Sequence, residues 1–203
     1  MKIKLLISLL SLLSPMMSFG QESVPKAEAN FGYSFINVHP EIPQITSYNI
    51  NGGIASFVYN VTPLFGIKSE FGDYVGNGGA QLRAAGFNGN VSGNLFSYMF
   101  GPQVKKHKGK FQPFGEALFG GAHSGTQAQL YEIIHGLPTS GGSSNNSFAM
   151  AFGGGIDIPV GHHAQIRPAE VDYLYTHFSA NQVSASQNNF RYSVGLTVVW
   201  GGK

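Results

Sequence analysis

Hydrophobic and polar residues alternate along most of this chain with a period of two. The clearest run covers residues 189–200. Phe190, Tyr192, Val194, Leu196, Val198 and Trp200 occupy one parity; Arg191, Ser193, Gly195, Thr197 and Val199 occupy the other. A strand sends successive side chains to opposite faces, so this run predicts a strand with an aromatic and aliphatic face backed by a small or polar one. The same alternation predicts strands over 27–37, 47–59, 64–74, 94–104, 111–122, 148–158 and 164–177. In the first, Ala29, Phe31, Tyr33 and Phe35 oppose Glu28, Asn30, Gly32 and Ser34. Two interruptions are expected: a bulge at Gly52-Gly53 and a bulge or distorted pairing at Pro168.

The connections between these eight strands sort by length. Odd-numbered ones run from roughly nine to twenty-five residues and even-numbered ones about four to six, the pattern of a membrane barrel with short turns at one end and long loops at the other. The last, 178–188, is expected to be a polar loop; 140–147 is low-complexity Gly/Ser/Asn, and 127–135 has room for one or two helical turns. The Lys105 to Lys110 segment reads as a solvated hairpin turn rather than a binding patch.

Composition sharpens this picture. Charged residues are 11% of the chain, against roughly 25% in a soluble domain. The chain carries 16 Phe and 9 Tyr, more rings than the inside of an eight-stranded barrel has room for. Turning the barrel inside out, rings toward lipid, removes that conflict. Most strands then place a charge on the parity opposite their rings: Glu28, Lys68, Glu70, Glu116, Asp157 and Arg191. Arg167, Glu170 and Asp172 join them in the seventh strand, where Pro168 blurs the parity. These charges are expected to pair within a narrow polar lumen.

Residues 1–20 stand apart. Lys2 and Lys4 precede an apolar run, and Ser18-Phe19-Gly20 offers small residues before Gln21, the order of a secretory leader. A polar lead-in over 21–26 and a barrel over 27–203 complete the expected layout. Without Lys2 and Lys4 the 12 basic residues become ten, balancing the 10 acidic ones. That neutrality argues against nucleic acid as a partner. With no cysteine there is neither a disulfide framework nor a thiolate metal site.

The chain resembles the eight-stranded, OmpA-like outer-membrane β-barrel family over about 27–200. The residues that carry the likeness are Ala27-Glu28-Ala29-Asn30-Phe31-Gly32-Tyr33-Ser34, Phe100-Gly101-Pro102, Leu118-Phe119-Gly120-Gly121-Ala122-His123, Gly153-Gly154-Gly155-Ile156-Asp157 and the closing Asn189-Phe190-Arg191-Tyr192-Ser193-Val194-Gly195. The resemblance implies an all-β, eight-stranded antiparallel up-and-down barrel in the bacterial outer membrane. It also implies lipid and lipopolysaccharide as surroundings, a monomer, and insertion by barrel-assembly machinery. Trp200 would be the terminal aromatic which that machinery reads, although Gly201-Gly202-Lys203 follow it.

Candidate chemistry is sparse. His177-Phe178-Ser179 resembles the His-x-Ser of eight-stranded lipid A deacylases, but Ala180 stands where those enzymes carry Asn, and no Asp or Glu follows Asp172 to orient the histidine. His39, His107, His123, His135, His162 and His163 form no metal-ligand spacing, and neither a cofactor nor a catalytic residue is expected. The expected role is structural or surface-interacting, through the long loops. A narrow pore for small solutes is the alternative, and a hydrolase using His177 and Ser179 comes third.

Overall fold

The computed structural model describes residues 24–39, 47–76, 93–124, 145–180 and 183–201. The expected leader, the proposed helical turns at 127–135 and the low-complexity stretch at 140–147 fall wholly or mostly outside the described residues. Eight strands follow one another: β1 (Ala27–Val38), β2 (Tyr48–Asn60), β3 (Phe65–Gly76), β4 (Gly93–Lys105), β5 (Gln112–Ser124), β6 (Asn145–Pro159), β7 (Ala164–Ala180) and β8 (Val183–Trp200). Each pairs antiparallel with its neighbours, and the sheet closes on itself. β8 pairs with β1 from Ala27↔Trp200 to Asn37↔Phe190, so neither terminal strand keeps a free edge.

Facing follows the period-two pattern. Phe31, Tyr33, Phe35, Phe96 and Tyr192 lie on the outer surface, 62%, 57%, 40%, 43% and 46% exposed. Had these rings lined the interior, the molecule would be a soluble container. Their outward position leaves a barrel whose outside is apolar and whose inside holds the charges, the arrangement that lipid demands.

The structure corrects the sequence expectation at two places. The 178–188 loop is not a loop: β7 runs to Ala180 and β8 starts at Val183, pairing Phe178↔Ala185 and Ser179↔Ser184. Small and polar residues there satisfy their backbone groups across a long hairpin, and their composition hid the strands. Gly52-Gly53 is not a bulge either, because the β1–β2 register runs through it unbroken. A Cβ on Gly52 would lie 1.9 Å from the Asp73 carbonyl oxygen, so glycine here permits close approach of β3. On β5, Phe114 faces the interior with Gln112 and Glu116, on the parity that the polar residues mark.

The bulge at Pro168 is present. Between Arg167 and Glu170, β7 advances one residue more than β8 (Arg167↔Gly195, Glu170↔Ser193), with a matching shift against β6. The extra residue switches the inward parity, so Arg167, Glu170 and Asp172 all point inside. Tyr192 donates its hydroxyl to the Pro168 carbonyl oxygen at 3.0 Å, satisfying a backbone group at the bulge.

Candidate functional site in the barrel lumen

The interior has two unlike halves. The half near the short turns is ionic. Glu28, Glu70, Glu116, Asp157, Glu170 and Asp172 are buried there with Lys68, Lys105, Arg167 and Arg191. Seven of the eight strands, all but β2, contribute a charged group, so the network ties together elements distant in sequence.

Lys68 is the hub. Its Nζ lies 2.8 Å from Glu70, 2.8 Å from Glu116 and 2.9 Å from Glu170. Oxygens of these three carboxylates fall within 4.8 Å of one another, a spacing that suits a cation, and the lysine ammonium supplies one. Gln103 donates to Glu116 at 3.1 Å. From Glu170 the network continues to Arg167 Nη1 at 2.8 Å, and Arg167 grips Asp157 with Nε and Nη2 at 2.8 and 2.9 Å. That forked contact matches the planar guanidinium to both carboxylate oxygens. The Arg167 guanidinium also stacks 4.3 Å above the Phe114 ring, which explains an aromatic residue among the charges.

Lys105 joins Asp157 (2.7 Å), Gln165 (2.9 Å) and Glu28 (2.5 Å). Glu28 in turn meets His107 Nε2 at 2.7 Å and Asn60 at 2.8 Å, while His107 Nδ1 lies 2.9 Å from the Pro63 carbonyl oxygen. Two short turns are thereby fastened to β1. On the other side of the hub, Arg191 donates to Asp172 at 2.8 and 2.9 Å and pairs with Glu70. Its Nη1 lies 3.4 Å from the Tyr74 hydroxyl. Tyr74 marks the border of the ionic half.

Beyond it the described interior is uncharged and mainly apolar, with Ser147, Thr176, Gln187 and Asn189 the buried polar residues nearest the long connections. Ile36, Val38, Ile50, Ile54, Met99, Leu118, Ala122, Ala149, Ala151 and Leu174 pack with Tyr74 into one cluster, and Leu95 lies against it. Every member sits in the half of its strand nearer the long connections or close to mid-strand. Water and ions would have to pass an apolar plug and then a paired ionic one.

All eight of the charges expected in the lumen (Glu28, Lys68, Glu70, Glu116, Asp157, Arg167, Asp172 and Arg191) are buried in the interior. Lys105 was assigned to a turn, although it continues the inward row of Gly101 and Gln103 on β4. Glu170 is fixed inward by the bulge. The apolar cluster was not expected; its signal is Ile36, Met99, Leu118 and Leu174 on the same parity as the charges of their strands.

Strand-six glycines make room for these groups. A Cβ on Gly153 would lie 2.1 Å from Asp172 Oδ1, and one on Gly155 would lie 2.8 Å from Phe114 Cζ. His177 Nδ1 lies 3.1 Å from Ser186 Oγ on the neighbouring strand. Ser179 occupies a β7 position opposite Ser184, and its side chain is outside the described residues. Asp172, the last carboxylate in the sequence, is bound to Arg191 inside the barrel. Trp200 sits on the outer surface with its ring 5.9 Å from that of Phe57. The two rings reach toward each other across β1, where Ala27 and Ala29 are small.

These features define a transmembrane β-barrel with a filled interior. No protein-family profile and no curated protein matches the sequence. Solved structures do match the fold. Neisserial surface protein A (NspA) superposes with a TM-score of 0.60 at 12% identity, covering 87% of this chain and 99% of that one. Ail, the attachment invasion locus protein of Yersinia pestis, covers the same shares at 15% identity with a TM-score of 0.49. E. coli outer membrane protein W gives 0.44 at 16% identity, covering 86% of this chain and 98% of that one. The chain is an eight-stranded barrel of the bacterial outer-membrane type, and its likeness to OmpA-like barrels holds at the level of the fold.

Proposed function

We propose that this protein is a closed, non-catalytic outer-membrane barrel that presents its long connections at the cell surface for contact with host, phage, lipopolysaccharide or neighbouring cells. The observation that carries the reading is the double filling of the lumen, apolar toward the long connections and ionic toward the short turns. A filled eight-stranded interior favours a scaffold over a pore. The neighbour NspA is itself described as a surface protein, which fits the same role. The reading takes residues 1–20 as a cleaved leader and Trp200 as the aromatic read by the assembly machinery. It takes the working unit as a monomer in lipid and lipopolysaccharide.

Two measurements test it. Refolded protein in a planar bilayer should give no steady unitary conductance; large, stable steps would refute the scaffold and favour the pore. Replacing residues 77–92 and 125–144 by short turns should leave a folded barrel that no longer binds lipopolysaccharide or adheres to cells. Undiminished binding by that barrel would sink the surface role. The hydrolase reading has less support, because Asp172 is committed to Arg191.

A further inference from the structure

Charge is sorted between the inside of this barrel and one of its rims. Among the described residues the only exposed carboxylate is Asp73, near the long-connection end of β3. The exposed lysines Lys26, Lys106, Lys108 and Lys110 all stand at the opposite end, beside the short turns. The other described carboxylates are inside, paired to Lys68, Lys105, Arg167 and Arg191. Among the described residues the short-turn rim therefore exposes lysines and no carboxylate.

We propose that this rim, centred on Lys106 and Lys110 of the 106–111 turn, binds the anionic headgroups of phospholipids in the leaflet on the short-turn side. Two observations favour a lipid headgroup over a soluble anion. Phe100, Pro102 and Val104 form an exposed outward column on β4, and Lys106 is the next position in that column, where hydrocarbon gives way to headgroups. The turns also expose apolar side chains beside the lysines: Val61, Leu64, Phe111 and Val160. Apolar tips interleaved with cations suit a bilayer interface and would be out of place against water.

The turn is held in shape as well. The Lys106 amide donates to the Pro113 carbonyl oxygen at 3.0 Å, Gln112 donates to the His107 carbonyl oxygen at 3.0 Å, and Gly109 supplies the positive φ of 96°. A headgroup binding there would have little backbone to order.

The inference rests on the barrel spanning a membrane, and is independent of what the long connections contact. Trp200 is the only tryptophan, so Phe111→Trp with Trp200→Phe moves the single reporter to the proposed site. The refolded chain is placed in nanodiscs that hold about one lipid in five as brominated phosphatidylglycerol or as brominated phosphatidylcholine. A lysine near an anionic surface is worth roughly a five-fold enrichment. Quenching by the anionic lipid should accordingly exceed quenching by the zwitterionic one about three-fold or more. Lys106→Gln with Lys110→Gln, or about 0.5 M salt, should bring the ratio near one while circular dichroism shows an unchanged barrel. A ratio near one in the starting chain, or one that the lysine substitutions leave unaltered, overturns the proposal. So does a ratio near one accompanied by lysine-dependent retention on insoluble peptidoglycan, which would assign the patch to the cell-wall polymer.

Discussion

The ionic and apolar halves of the lumen fill the same barrel by opposite means. Near the short turns, space is occupied by long charged side chains that reach across the axis, so that β3, β5 and β7 meet at one ammonium group. Near the long connections it is occupied by Ile, Leu, Met and Ala side chains that touch only by packing. The first solution is directional: each group needs particular partners, and loss of one leaves others charged and unpaired. The second is volumetric, and loss of one member leaves a hole that neighbours partly close. Thus the two halves should answer substitution differently in size and in how their effects combine.

Lys68→Met sets the upper bound. It removes the ammonium but keeps the length of the side chain, leaving Glu70, Glu116 and Glu170 crowded without their shared cation. Breaking a buried ionic group from one side costs about 3–5 kcal/mol. The urea midpoint of the barrel in lipid vesicles should drop accordingly, and Glu116→Gln in the same chain should restore part of the loss. A midpoint that does not move would mean that the ionic half fills space without holding strands together.

Leu118→Ala is the matching change in the apolar half. Leu118 is fully buried in the cluster, and truncation there should cost about 2–4 kcal/mol through lost contacts and a cavity. Here no second substitution should rescue, and the loss should add to that of Lys68→Met. Strong coupling between the two would show that the halves act as one body. Smaller again is overfilling: Gly153→Ala puts a methyl group 2.1 Å from Asp172 Oδ1 and 2.2 Å from the Val171 carbonyl oxygen, and should cost about 1–3 kcal/mol. Gly53→Ala, with nothing closer than 4.0 Å, is its control and should be near neutral on the same urea scale.

The sequence made the ionic half far more legible than the apolar one. Charges on the parity opposite a row of rings have few explanations, so Glu28, Lys68 and Arg191 announce an interior. Ile36 or Leu118 on that same parity announces nothing, because an apolar residue suits both lipid and core. Phe114 shows the same ambiguity: its ring looks like the lipid-facing rings, and only its position between Gln112 and Glu116 reveals its side. The β7–β8 hairpin beyond His177 was illegible for another reason. Pairing through backbone groups requires no alternation, and Ser184, Ala185, Ser186 and Gln187 provide none. The ring contact between Trp200 and Phe57 depends on register across three strands, which composition does not fix.

The smallest expected effect bears most directly on how the ionic half came to hold both Arg167 and Glu170. Without the extra residue at Pro168, the period of two would send Glu170 toward lipid whenever Arg167 faced inside. The Tyr192 hydroxyl holds the Pro168 carbonyl at 3.0 Å. Tyr192→Phe removes that one hydrogen bond and keeps the ring, so it should cost about 1 kcal/mol in the urea midpoint. Tyr173→Phe, which deletes a hydroxyl contact to Asn188 on the same surface away from the bulge, is the reference. If the bulge positions the ion pair, Tyr192→Phe should combine non-additively with Glu170→Gln and additively with Leu118→Ala, whereas Tyr173→Phe should be additive with both. Additivity of Tyr192→Phe with Glu170→Gln would mean that the bulge stands without its tyrosine brace, and that the ionic half owes its inward glutamate to Pro168 and the strand register alone.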